Sequence, residues 1–172
     1  MDSGPKLSLA KLVEVLEIYG VQYLVVGGVA ARAHGASRVT EDFDCVVQRS
    51  DQNLDRVASA LRAMNARLRV EGMTDEEAKQ LPVVIDTHML KSARLTTWQT
   101  DFGPLDVLAG LESQKVPFKD FEFLETNAST IQGDGFLLRT AALTDIIEAK
   151  EFANRPKDQE ALPELRRLRD AT

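Results

Sequence analysis

The sequence predicts an α+β (mixed α/β) fold. Three observations carry this: an amphipathic helical segment opens the chain, short apolar runs broken by glycine or proline fill its middle, and two consecutive helical segments close it. At 172 residues and 19.0 kDa the chain has the size of one domain with a sizeable core. With no internal repeat or long Gly/Ser linker, residues 1–172 are expected to form a single domain, the C-terminal helices (about 142–170) packing on or beside it.

The first helix is predicted over Ser8 to Gly20, where Leu9, Leu12, Val13, Leu16 and Tyr19 recur at helical spacing, Ser8 caps the start and Gly20 ends it. Val21 to Val26 is a short apolar run suited to a buried strand. Gly27-Gly28 breaks it, and Val29 to His34 begins a helix. Phe43 to Val47 is a second strand. Asp51 to Arg67 is an amphipathic helix with Leu54, Val57, Ala58, Leu61 and Met64 on one face. Glu71 to Leu95, polar and interrupted by Pro82, is expected to be a loop with at most one short strand or helix. Thr96 to Phe102 and Leu105 to Leu108 are strands around a Gly103-Pro104 turn, and Phe121 to Leu124 and Gly135 to Arg139 are further strand candidates. Ala142 to Ala153 and Lys157 to Arg169 are the closing helices, with Pro156 suited to a first helical position.

Composition narrows the function classes. Hydrophobic residues make up 44% and charged residues 28%, an ordinary globular mix. No apolar run reaches the roughly 18–20 residues of a membrane span, and the mixed charges of the first 20 residues do not suit a signal peptide, so a cytoplasmic protein is expected. One cysteine and two histidines argue against a disulfide framework or a structural zinc site. The net charge of −6, from 27 acidic and 21 basic residues, confines any nucleic-acid contact to local patches.

The sharpest signal is Tyr23-Leu24-Val25-Val26-Gly27-Gly28-Val29-Ala30 followed by Arg38-Val39-Thr40-Glu41-Asp42-Phe43-Asp44. Glycines where a strand gives way to a helix allow close backbone approach to an anion such as a triphosphate. Thirteen residues separate Gly28 from Asp42. In a strand, Asp42 and Asp44 would share one face while Phe43 packs behind, and two carboxylates so close call for a cation. Glu41 would point the other way, Thr40 would orient Asp42 or the turn, and Arg38 is either a phosphate contact or a surface arginine.

This pattern resembles the nucleotidyltransferase superfamily related to DNA polymerase beta, whose motif is a glycine pair, a spacer, and two carboxylates flanking a hydrophobic residue. The resemblance implies a nucleotidyltransferase fold: a short mixed sheet flanked by helices, with a helical C-terminal tail. It also implies a third carboxylate from a neighbouring strand, which Asp106 in Phe102-Gly103-Pro104-Leu105-Asp106-Val107-Leu108 fits, being an acid among apolar residues. Ala149-Lys150-Glu151-Phe152-Ala153-Asn154-Arg155-Pro156-Lys157-Asp158 is similar to the C-terminal motif of AbiEii-like nucleotidyltransferases, several of which are toxins of toxin–antitoxin pairs. There a helix lysine and a following aspartate are functional, matching Lys150 and Asp158. Asp158 also has a purely local reading, as an acid in a first helical turn. The resemblance runs from about Leu9 to Leu168, with Glu71 to Leu95 matching nothing.

The implied catalytic set is Asp42, Asp44, Asp106, Lys150 and Asp158. Asp42, Asp44 and Asp106 would hold Mg2+ (or Mn2+), and Gly27, Gly28, Arg38, Thr40 and Lys150 would contact the NTP. The expected reaction moves a nucleoside monophosphate from an NTP to an acceptor hydroxyl, releasing pyrophosphate. The branch resemblance implies an RNA acceptor such as the tRNA 3′ end and an antitoxin partner. The alternatives are a small-molecule, antibiotic-type nucleotidyltransferase and a non-catalytic binding module of the same fold. Elsewhere, Cys45 reads as a buried apolar residue and His34 as a helix end, while Trp98 and Tyr23 are candidates to stack a base, Trp98 within its strand suiting the core first. Arg56, Arg62, Arg67 and Arg69 form the best basic patch, followed by Arg166, Arg167 and Arg169.

Overall fold

The apolar runs ending at Val26 and starting at Phe43 become adjacent strands, and the sheet extends outward from them on both sides. A computed structural model describes residues 4–172. In chain order, α1 (Leu9–Ile18), β1 (Tyr23–Val26), α2 (Gly27–Ala33), β2 (Phe43–Val47) and α3 (Asp51–Ala63) make the first half. The middle holds β3 (Arg67–Leu68), α4 (Asp75–Lys79), α5 (Thr87–Lys91), β4 (Leu95–Thr100) and β5 (Gly103–Leu108). Then come β6 (Gly110–Leu111), β7 (Lys119–Asp120), α6 (Phe121–Glu125), β8 (Ser129–Gln132), β9 (Leu137–Thr140), α7 (Leu143–Ala153) and α8 (Pro156–Asp170).

Seven strands form one mixed sheet in the order β3-β4-β5-β2-β1-β9-β8, with β6 and β7 a separate antiparallel ribbon. β2 runs parallel to β5 and β1 parallel to β9, and the other neighbours are antiparallel. All four β1 residues are buried, and in β2 only Asp44 is not fully so, as expected of central strands covered on both faces. The main core gathers Leu12 and Leu16 of α1, the β1 and β2 valines, Leu54 and Leu61 of α3, and Trp98 of β4. Trp98 satisfies its indole N–H on Thr96 Oγ1 at 2.8 Å. A smaller cluster of Ala31, Ile147, Leu162 and Leu165 joins α2 to α7 and α8, which fixes the C-terminal helices against the helix that leaves β1. The buried Lys119 adds a polar tie, donating to Asp145 at 2.8 Å and to Glu148, so that β7 anchors α7. A buried pair of this kind contributes little net stability and chiefly fixes one arrangement.

Several sequence expectations need correction. Phe121 to Leu124 is helical: Asp120 Oδ1 accepts from Phe123 N–H at 2.9 Å and caps a short helix instead of a strand. Glu71 to Leu95 holds two helices. Thr74 and Glu77 form a reciprocal capping box at α4, and Asp86 caps α5. The amphipathic helix from Asp51 stops at Ala63, so Arg67 begins a strand. The chain reverses at Asp101-Phe102, and Gly103-Pro104 lies inside β5. Ser8 precedes α1 without a side-chain capping bond. Asp42 lies just ahead of β2, so strand alternation is not what brings it near Asp44. The arginine patch also dissolves: Arg56 and Arg62 bond the carbonyls of Gly20 and Ile85, Arg67 is buried, and Arg69 turns toward the acids. Among the described residues, no helix is long and apolar enough to cross a membrane.

Candidate active site

β1 ends at Val26, and the backbone turns into α2 through Gly27 at φ +66°. That left-handed conformation suits glycine, and a Cβ on Gly27 would overlap Asp44 Oδ2. A Cβ on Gly28 would lie 2.7 Å from Thr40 Oγ1. The glycine pair therefore makes room for a carboxylate of the neighbouring strand and for the segment leading into β2. Thr40 in turn donates to the Asp42 carbonyl at 3.2 Å.

Sheet register does the rest. Val26 pairs with Asp44, Asp44 with Asp106, and Asp106 with Thr97, placing acids of β2 and β5 side by side. Arg69 extends the same row, its N–H donating to the Thr97 carbonyl at 3.0 Å. Its guanidinium donates to Asp106 Oδ1 at 2.7 Å and lies 3.5 Å from Asp42 Oδ1. Asp42 and Asp106 thus face one shared cation.

Asp44 and Asp106 are close enough to share a hydrogen bond. Burial, then the charge of Asp106 and that bond, and then Asp42, push the Asp44 carboxyl up to about 7, with Lys157 opposing. Burial also raises Asp106, while the Arg69 guanidinium works against it. Two carboxyl groups in one desolvated place cannot both ionise cheaply, so the pair holds a proton above the ordinary carboxylate range.

A cationic rim faces these acids. Lys150 on α7 projects between two cavities, of about 420 and 480 Å3, that meet along Gly27, Asp44, Lys150 and Arg155. The first is bounded also by Gly28, Arg38, Thr40, Asp42 and Lys157. The second, on the Asp106 side, is bounded by Val26, Leu108, Leu111, Phe118 and Phe152, with Arg94 stacked 4.5 Å from the Phe118 ring centre. Arg38 is exposed and donates to the Lys157 carbonyl at 3.0 Å, which ties it to α8. Glu41 lies on the rim of the first cavity, exposed.

Asp158 stands behind this rim, fully buried. It accepts from Arg155 N–H at 3.1 Å, from Arg155 Nε at 2.7 Å and from Lys150 Nζ at 3.5 Å. Burial alone would raise its carboxyl, but the Arg155 hydrogen bonds and the Arg155 and Lys150 charges outweigh that and hold it low. The local reading of Asp158 as an acid of the first α8 turn is therefore met, and the same carboxylate orients both cations.

The structure brings Asp42, Asp44, Asp106, Gly27, Gly28, Thr40, Lys150 and Arg38 around one place, with Asp158 beneath it. Sequence reasoning missed Arg69, Arg155 and Lys157. The last two lie inside the segment that drew attention through Lys150 and Asp158. Arg69 carried no signal separating it from its neighbour Arg67. Cys45 and Trp98 are core residues, and burial pushes the Cys45 thiol up. His34 ends α2 with Nε2 2.9 Å from the Ala141 carbonyl.

The chemistry of the acids suits a divalent cation. Three carboxylates offer hard oxygen donors suited to magnesium or manganese, and the crowding that forces Asp44 and Asp106 to share a proton is what such an ion relieves. Among the described residues no three acidic, histidine or cysteine side chains already encircle one point as a cage, and Arg69 lies against both Asp42 and Asp106. By chemistry the three carboxylates suit such an ion, although Arg69 contacts two of them here.

No protein-family model matches the sequence, and no curated protein matches it. Solved structures do. The lincosamide antibiotic adenylyltransferase LnuA, in its lincomycin-bound form, superposes with a TM-score of 0.60 at 13% identity, over 95% of this chain and 99% of that one. A provisionally assigned nucleotidyltransferase from Thermotoga maritima gives 0.57 at 12% identity, over 91% of this chain and 88% of that one. ANT(2")-Ia, in complex with adenylyl-2"-tobramycin, gives 0.56 at 14% identity, over 95% of this chain and 93% of that one. Likeness at such identities speaks for architecture: with its mixed sheet and closing pair of helices, the chain has the nucleotidyltransferase fold.

Proposed function

We propose that the protein transfers a nucleoside monophosphate from an NTP to an acceptor hydroxyl, at the face where Asp42, Asp44 and Asp106 meet Lys150. One observation supports this above the others: Asp44 and Asp106, from separate strands, stand in register and within reach of a hydrogen bond, opposite a rim of Lys150, Arg155 and Lys157. A scaffold has no use for converging acids whose charges must be suppressed; a metal–phosphate site does.

Asp42, Asp44 and Asp106 would hold Mg2+ or Mn2+, which supplies Lewis-acid stabilisation of phosphate oxygens. Lys150, Arg155 and Lys157 offer cations to the triphosphate, and Gly27 and Gly28 keep its approach clear. Asp158 holds Lys150 and Arg155 in position. Asp106 borders the second cavity and is placed to accept the acceptor hydroxyl's proton as its oxygen bonds to the α-phosphorus and pyrophosphate departs.

For the acceptor, the resemblance of residues 149–158 to AbiEii-like nucleotidyltransferases implies RNA, the tRNA 3′ end in particular, and a toxin role with an antitoxin partner. A second reading is favoured by a different observation: the roughly 480 Å3 cavity beside Asp106, walled largely by apolar side chains, has the size of a site for a small hydroxyl compound. The antibiotic adenylyltransferases among the similar structures support the same reading. The test is incubation with each α-labelled NTP and Mg2+, against total tRNA and against a panel of small hydroxyl compounds. Label in tRNA supports the first acceptor and label in a small compound the second. No label in either rejects the enzyme reading and leaves a binding module, whereas labelling unchanged in Asp42→Ala rejects the assignment of the activity to this site.

A further inference from the structure

Arg67 and Arg69, two residues apart, are used in opposite ways. Arg67 is buried and engaged at all three nitrogens: Nε and Nη2 each donate to Asp75 at 2.6 Å, and Nη1 donates to Asp101 at 2.8 Å and to the Asn65 carbonyl at 2.9 Å. It is a fixed structural pair. Arg69 has a side chain 32% exposed, and its buried Nε finds no hydrogen-bond partner among the described residues. A buried, unmatched donor is unfavourable, so this guanidinium is held by the carboxylates it spans and not by a complete set of bonds. What it spans is the pair Asp42 and Asp106, from the two segments that would hold the metal.

We propose that Arg69 is a displaceable internal counter-ion: it occupies the cation position between Asp42 and Asp106 when nucleotide is absent, and must swing out for a divalent ion to enter. This rests on the metal–nucleotide reading above and adds an order of events to it. The acids are neutralised by the protein's own cation in the free state, so the bare ion competes poorly. An ion arriving with a triphosphate is aided by Lys150, Arg155 and Lys157, which bind the phosphates. Partial exposure gives the guanidinium a path to solvent.

The test is Mn2+ binding followed by electron paramagnetic resonance, on the full chain and on Arg69→Ala and Arg69→Gln, with and without a non-hydrolysable NTP analogue. Without nucleotide, both variants are expected to bind Mn2+ about tenfold or more tighter than the unaltered protein, and the gap narrows once the analogue is present. Thermal melts give the second readout: Mn2+ alone should raise the melting temperature more in the variants than in the parent. A merely structural arginine would lower stability on removal without tightening metal binding. Equal or weaker nucleotide-free binding in both variants, with the parent still binding Mn2+ alongside the analogue, overturns the latch alone. Absence of Mn2+ binding in every protein even with the analogue overturns the metal reading, and the latch with it.

Discussion

Replacing Asp44 by asparagine should stabilise the folded protein at alkaline pH while abolishing transfer. Asparagine keeps the shape of the protonated carboxyl and can still donate toward Asp106. Below pH 3.8, the ordinary value, Asp44 is protonated in both the folded and unfolded states, and its titration contributes nothing. Above that, the unfolded chain releases a proton that the folded protein retains, so stability falls as pH rises and levels off once pH passes the folded value of about 7. At about 1.4 kcal/mol per factor of ten in proton affinity, holding a carboxyl at about 7 instead of 3.8 costs about 4 kcal/mol at pH 8. An asparagine that fits less well than the acid recovers roughly 2–4 kcal/mol of that, on the order of 10 °C in melting temperature for a chain of this size. The assay is thermal and urea unfolding of both proteins in chelator-treated buffer at pH 5 and pH 8. The gain should be small at pH 5 and full at pH 8. Asp44→Asn no more stable than the parent at pH 8, or a gain equal at both pH values, would refute the shared-proton account.

Other perturbations probe the remaining parts of the site. Gly27→Ala forces a Cβ against Asp44 Oδ2 at a positive φ, so it should cost roughly 2–4 kcal/mol in unfolding experiments and displace the carboxylate, removing metal-dependent transfer. Lys150→Ala should raise the KM for NTP about tenfold, whereas Arg38→Ala, which removes an exposed group already engaged with α8, should change it by about twofold or less; steady-state kinetics separates the two. Asp158→Ala leaves Lys150 and Arg155 without their buried partner, so denaturant melts should register a loss of about 3 kcal/mol together with a raised KM for NTP. An Asp158→Ala protein of unchanged stability would contradict the assignment of Asp158 as the residue that orients the rim.

Strong local chemistry made most of the site legible in the sequence. A glycine pair at a strand end and two acids one residue apart mark a strand–turn–helix and its neighbour, and β2 runs over Phe43–Val47 as its apolar pattern predicts. Asp106 stood out as an acid among Leu105, Val107 and Leu108, and the parallel pairing of β2 with β5 puts it beside Asp44. The glycines serve a different purpose from the one expected: they clear space for Asp44 and Thr40 as much as for any phosphate. Short capped helices were harder to read. Thr74 to Glu77 carries a capping signature, and Asp120 a cap, but five-residue helices show too little periodicity to outweigh the polar or aromatic character of their surroundings. Arg69 was invisible for another reason. Its meaning depends on a cross-strand row, Arg69–Thr97–Asp106–Asp44, that joins distant parts of the chain and exists only once the sheet has formed.

The central assignment is tested most directly by a crystal structure of the protein with Mn2+ and a non-hydrolysable NTP analogue, read through the anomalous signal of manganese. The expected map has manganese ligated by Asp42, Asp44 and Asp106, the triphosphate against Lys150 and Arg155, and Arg69 withdrawn from the acids. Nucleotide bound with those carboxylates still closed on Arg69 and free of manganese would contradict it.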